Sequence, residues 1–547
     1  MNRSATAATA APDPGVGVDR DETHARLSRN IISSVGAKIL YLATRFSLPP
    51  IILAYITLEE YGLWALAFIL IAYLGMGAFG VSNVYVRYVA QYQAAGQTDR
   101  IGDLLSTGLV LVSIFATATL IALWFALPTV LPWFSVPEHL QSTAFLLLFG
   151  TAAVFMLDLS LGAFVYVLVG LQKIVLQNRI WIASFLLETL LVVTFMLMGL
   201  GVLGLLYAFA LRYALSISLS VWMCFRNLPG LRLSPLRCNR EHLRLYIGFG
   251  GILQISGLLS MFLRSVEKLI AGLFINVQAV GLFDVAQKFP VMATSIPSSI
   301  NAAYLPAVTQ MHVQGRHREF SNFYLGGARQ INLLTGFMMG FMAAFAAPLI
   351  TAWLGPNPDF ALAPLVLACF TLPFQLNVVT GAATNVYRGL ERPVHELLYP
   401  VSQLLLVVVL VGAGFGLFGV ELRVIVAAVA GAMILSALFY FTYTNRFLGI
   451  RQRVFLRQAL LPGLLPYLTG FGLLLPITPW IASVADDRLG SLAVVLAGGL
   501  AYVLAQSALL WHLQLTDTEQ AFLRSRLAPM AGRLAVLRRR APTRISS

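Results

Sequence analysis

Apolar runs of about 20 residues or more alternate along the chain with short connections rich in glycine, proline and basic side chains. Wound as a helix rising 1.5 Å per residue, a run of that length crosses a hydrocarbon layer roughly 30 Å thick. The runs predict spans near 31–57, 61–86, 104–127, 143–170, 176–200, 203–225, 246–275, 279–306, 325–350, 361–387, 397–415, 420–445, 459–480 and 489–512. The expected fold is therefore an all-α polytopic membrane protein of about fourteen transmembrane helices. Residues 1–30 lack an apolar stretch and a cleavage site, which predicts a disordered cytoplasmic tail and no signal peptide.

Sliding the chain on itself by 219 residues pairs 40–100 with 259–319 without a gap. The informative identities are Arg45/Arg264, Gly62/Gly281, Tyr85/Tyr304, Gln91/Gln310 and Gly96/Gly315. They predict two six-helix lobes in parallel repeat, 31–225 and 246–445, joined by a basic linker at 226–245. Residues 446–512 add two further helices, and 513–547 form a basic tail. Parallel repeats are a transporter signature, with cargo held between lobes that rock to give alternating access.

Composition agrees: 58% of residues are hydrophobic and 11% charged, against about 25% charged in soluble domains. The net charge of +14 follows topology. Placing basic residues such as Arg226, Arg232, Arg237, Arg240, Arg244, Arg446, Arg451 and Arg453 inside leaves only Arg488 and Arg423 outside, which puts both termini on the cytoplasmic face of a bacterial inner membrane. The basic tail then contacts anionic lipids; no nucleic-acid motif accompanies it. The chain has no G-x-x-x-x-G-K-[ST] loop, its three cysteines and seven histidines have no metal or disulfide spacing, and its outside loops are short. A transporter without cofactor or metal is expected, and no catalytic residue.

Charges inside the spans are expensive and so mark function. Lys38, Tyr41 and Arg45 share one face of span one; Arg264, Glu267 and Lys268 share one face of span seven; Lys288 and Arg212 add further bases. Counted from the outer ends, Arg45 and Arg264 lie roughly 17 Å deep, near the midplane. Glu267, Asp284, Glu188 and Asp158 are the acids, candidates for H⁺ or Na⁺ coupling or for static pairing: Arg264 or Lys268 with Glu267, and Lys288 with Asp284. Six bases against four acids leave positive charge that a pyrophosphate would balance.

The segments RNIISSVGAKILYLATRF, LEEYGLWAL, QAVGLFDVAQKFP, SVEKLIAG and YRGLERPVHELLYP resemble the multidrug/oligosaccharidyl-lipid/polysaccharide exporter superfamily, in its polysaccharide transporter, O-antigen flippase-like branch, over residues 27–510. The resemblance implies two lobes in a V around a cationic cavity. It also implies a flippase that carries undecaprenyl-pyrophosphate-linked oligosaccharide to the periplasmic leaflet, as a monomer working beside a polymerase and glycosyltransferases. The family's basic positions match Lys38, Arg45, Arg264, Lys268 and Lys288; Glu267 and Asp284 depart from its pattern. A lipid II flippase and a cation-coupled drug exporter are the alternatives.

Overall fold

In the computed structural model, residues 20–75, 81–248, 259–316, 319–484, 487–515, 519–521 and 525 are described, and among them all regular structure is helical. The first repeat comprises α1 (Arg20–Ile52), α2 (Leu58–Leu74), α3 (Val81–Ala94), α4 (Thr98–Val130), α5 (Gln141–Leu161), α6 (Ala163–Gly170), α7 (Ile174–Leu197) and α8 (Gly201–Asn227). After a short α9 (Arg240–Gly248) come α10 (Val266–Phe274), α11 (Val277–Ala293), α12 (Ser295–Val313), α13 (Phe320–Ala344), α14 (Ala346–Leu354), α15 (Ala363–Gly389), α16 (Leu398–Phe418) and α17 (Leu422–Phe447). The last two are α18 (Leu465–Val484) and α19 (Arg488–Leu509).

Nine helical segments among the described residues are long and apolar enough to cross a membrane, or ten if α13 and α14, bent by 76°, form one span. The protein is a multi-pass membrane protein. The other expected spans that fall short are the first two of each repeat, near 31–57, 61–86, 246–275 and 279–306. Those near 61–86 and 246–275 lie partly outside the described residues; α1 carries Lys38 and Arg45, and the chain between α11 and α12 breaks at Thr294, after Pro290. Residues 1–19 and most of the expected C-terminal tail lie outside the described residues. Residues 20–30, expected in the tail, extend α1 instead.

The repeat reaches well beyond the stretch legible in sequence. Moved by 219 residues, α2 falls on α11 end for end, and α3 and α12 finish together. Gly96 and Gly315 then adopt φ of 69° and 70°. Tyr85 packs on Gly108 as Tyr304 packs on Gly327, and Val89 on Gly170 as Val308 on Gly389. Helices α6 and α15 end alike: Gln172 and Glu391, equivalent positions, take φ of 58° and 59°, and the following Lys173 and Arg392 donate their backbone N–H to Leu168 and Tyr387 carbonyls at 2.9 Å. This left-handed residue just past the helix end is the usual way to stop a helix and satisfy its last carbonyls. Two copies of one construction therefore build the chain.

The chain divides into two compact units, Met1–Tyr55, Leu74–Ala126 and Phe149–Phe249 against Ile56–Tyr73, Leu127–Leu148 and Gly250–Ser547. In the first, the linker is stitched to α4: backbone N–H groups of Ser234 and Asn239 donate to the Ser106 and Thr107 hydroxyls, and Arg237 pairs with Asp103 at 3.4 Å. In the second, the turns at 456–464 leave helical carbonyls unpaired, and Asn332 of α13 donates to those of Ala459 and Leu460, both at 2.8 Å. Gln375 joins this network through Asn332 and Gly463, and Tyr467 donates to Gln375 at 2.8 Å.

Candidate functional site

Two clusters of charged side chains form, one in each unit. In the first unit, α1 buries Ala37, Thr44 and Leu48, a helical stripe whose neighbouring residues include Tyr41 and Arg45. Arg45 donates from one guanidinium nitrogen to both carboxylate oxygens of Glu188 on α7, at 3.1 and 2.9 Å. Glu188 is buried, and Arg212 of α8 brings its Nε to 3.6 Å of the same carboxylate. That is too long for a hydrogen bond, and the buried Nε has no hydrogen-bond partner among the described residues.

One turn before Glu188, the ring of Phe185 contacts both guanidinium groups, 5.1 Å from Arg45 and 4.0 Å from Arg212. Tyr213 flanks Arg212 at 4.4 Å, and Tyr41 packs on Trp181 and Phe185. Aromatic faces stabilise cations where water is scarce. Phe185, Tyr213 and Trp181 were not singled out in the sequence, although Phe185 and Glu188 sit at i, i+3 on one helix. Asp158 of α5 lies within the field of Arg212 but forms no ion pair among the described residues.

In the second unit, Asp284 of α11 takes two lysines: Lys268 of α10 at 2.8 Å on one oxygen and Lys288, one turn on, at 2.8 Å on the other. The Tyr61 hydroxyl on α2 also donates to Asp284, at 3.0 Å. The pairing of Lys288 with Asp284 follows the sequence spacing. That of Lys268 does not, because its side chain reaches Asp284 and leaves Glu267, buried at the start of α10, with no base in ion-pair distance among the described residues.

The shared face expected for Arg264, Glu267 and Lys268 does not form. The chain turns at Arg264 and Ser265, where Ser265 has φ −133° and ψ 13°, so the i, i+3, i+4 geometry of a continuous helix is lost. Arg264 is exposed, as is Lys38, and neither has an ion pair among the described residues. Each unit thus holds one carboxylate paired with two bases, Arg45–Glu188–Arg212 and Lys268–Asp284–Lys288, with one further carboxylate nearby but outside ion-pair distance, Asp158 in the first and Glu267 in the second.

Residues 52–358, more than half of the chain, match the family model described as polysaccharide biosynthesis protein. The uncharacterized membrane protein EpsK of Bacillus subtilis (strain 168) is 22% identical over 451 residues, covering 79% of this chain and 86% of that one. Among solved structures, the lipid II flippase MurJ in an inward closed conformation superposes with a TM-score of 0.64 at 13% identity, over 88% of this chain and 98% of that one. An inward-facing multidrug resistance MATE family transporter of the MOP superfamily gives 0.61 at 15% identity, over 76% and 94%. Built on the fold that these two share, the chain belongs to the polysaccharide biosynthesis protein family.

Proposed function

We propose that this protein is a flippase that moves a lipid-linked, pyrophosphate-bearing oligosaccharide across the bacterial inner membrane for surface or exopolysaccharide synthesis, without making or breaking covalent bonds. The observation that carries this reading is that in both charged clusters two bases share a single paired carboxylate. A charge left over inside a membrane is costly, and an anionic cargo is the direct way to balance it. In the first unit Arg45 and Arg212 supply guanidinium donors, whose planar geometry suits phosphate oxygens, and the unpaired Nε of Arg212 stands ready as one of them. In the second, Lys268 and Lys288 exchange part of their bond to Asp284 for the anion; exposed Lys38 in the first unit and exposed Arg264 in the second add attraction. The membership in a polysaccharide biosynthesis family supports the glycan. Glu267, buried without a base, is the carboxylate best placed to couple transport to H⁺ or Na⁺.

The test is reconstitution. Purified protein in liposomes should change the leaflet distribution of a polyprenyl-pyrophosphate oligosaccharide while leaving it chemically intact, and Arg45→Ala or Arg212→Ala should greatly reduce the rate at normal protein levels. New glycosidic or phosphate-ester products would refute the reading, as would full transport by Arg45→Ala. Transport of lipid II but not of the oligosaccharide would move the cargo to peptidoglycan precursor.

A further inference from the structure

The turn between α6 and α7 borders a cleft of about 760 Å³ in the first unit, walled on its other side by the end of α3. Two bases, Lys173 and Arg179, line it together with Gln93, and its apolar part comes from Leu171, Val175 and Leu176. No carboxylate lines the cleft, and among the described residues neither base forms an ion pair. The left-handed Gln172 at its rim is not a sign of a site, because Glu391 repeats that conformation in the other half.

What distinguishes the cleft is its charge relative to its repeat. The same turn in the second half has two bases, Arg388 and Arg392, and two acids, Glu391 and Glu396; Arg388 donates to Glu396 at 2.8 Å. At the equivalent positions of the first half the acids are replaced by amides, Gln172 and Gln177, while Lys173 matches Arg392 and Arg179 is an added base. One repeat neutralises its turn internally. The other leaves two cations for an outside anion.

Position names the anion. The turn joins two segments long and apolar enough to span a membrane, Glu138–Gly170 and Ile174–Leu197, so it lies where the hydrocarbon ends and headgroup phosphates begin. We propose that this cleft is a binding site for the phosphate of an anionic phospholipid, with Lys173 and Arg179 on the phosphate oxygens and Leu171, Val175 and Leu176 along the first carbons of the chains. Arginine and lysine together provide a fork and a mobile point charge, both suited to a phosphodiester. The site is separate from the charge clusters assigned to the cargo.

Native mass spectrometry of the full chain, in neutral detergent titrated with phosphatidylglycerol or phosphatidylcholine, tests this. The wild type should hold one phosphatidylglycerol that the Lys173→Gln/Arg179→Gln variant binds about 30-fold more weakly, with phosphatidylcholine binding alike in both. An unchanged melting temperature without added lipid shows that the variant is folded; should it melt early, the single Lys173→Gln variant, at an exposed residue, is expected to weaken the same lipid about five-fold. Equal phosphatidylglycerol binding by wild type and variants would overturn the proposal. Displacement of the bound lipid by excess inorganic phosphate would also overturn it, by showing a site for a soluble anion.

Discussion

Gly62 and Gly281, equivalent residues of the two repeats, pack against one another where α2 crosses α11. A Cβ on Gly62 would lie 2.0 Å from the Val277 carbonyl oxygen, and one on Gly281 would lie 2.8 Å from that of Leu58. Leu58 and Val277 are themselves equivalent, so each glycine meets its mate's partner, the pattern of a contact lying on a two-fold axis. One pair that the sequence repeat brings into register thus lies where α2 and α11 touch.

That closeness makes the crossing intolerant of a methyl group. Gly62→Ala should destabilise the protein by about 1–3 kcal/mol through overpacking against backbone, and Gly281→Ala by less, in keeping with its longer approach. Because both changes push the same two helices apart, the double variant should cost less than the sum. Thermal unfolding in one detergent measures this; melting of Gly62→Ala at the wild-type temperature would show that the helices can separate freely.

Glu188 holds two guanidinium groups near a shared aromatic ring. Glu188→Gln removes the counter-charge and leaves both cations poorly solvated, at a cost of about 3 kcal/mol. Adding Arg212→Gln should recover part of that stability while Arg45 keeps a neutral acceptor. If Glu188→Gln melts like the wild type, the arginines are solvated by water and not by Glu188.

His242 on α9 is a buried residue of the linker, and the Tyr92 hydroxyl lies 3.3 Å from its Nε2. Burial pushes its pKa below the ordinary 6.5, with nearby Arg100 adding to the effect and Glu241 and Asp103 opposing it. A histidine with a lowered folded pKa binds fewer protons when docked than when free, so docking is favoured at high pH and weakens as pH falls through about 6.5. Hydrogen exchange in residues 231–248 should therefore speed up more between pH 7.5 and 5.5 than intrinsic chemistry allows, and His242→Gln should abolish the excess. The same excess in His242→Gln would assign it to another group.

Asn332 satisfies two carbonyls freed by the irregular turns before α18. Asn332→Leu removes the donor from those two carbonyls and one of the two acceptors of the Gln375 amide nitrogen, at about 1–3 kcal/mol for each buried group left unpaired, and the loss should fall on the attachment of α18 and α19. Limited proteolysis should cut the variant between 447 and 465 while the wild type resists. Equal resistance would mean that the packing of α18 alone secures that segment.

Much of the fold was legible because a membrane makes the chain declare itself: apolar runs of spanning length mark the helices, and the expected spans near 176–200, 203–225 and 420–445 coincide closely with α7, α8 and α17. The repeat was legible only over 40–100, where polar and glycine identities stand out. Gly108/Gly327, Gly170/Gly389 and Gln172/Glu391 continue it in sequence where apolar matches arise by chance, and backbone conformation was needed to recognise them. Sequence also named the ionisable residues of the clusters, since few charges enter the spans at all, and spacing along one helix sufficed to pair Lys288 with Asp284. It could not assign partners across helices. Lys268 reaches Asp284 on the neighbouring helix and not its chain neighbour Glu267, because adjacent residues of one helix point away from each other. Glu188 joined Arg45 and Arg212, and Phe185 came within reach of both, through the packing of α1, α7 and α8, a relation among residues up to 167 positions apart that tertiary structure alone decides.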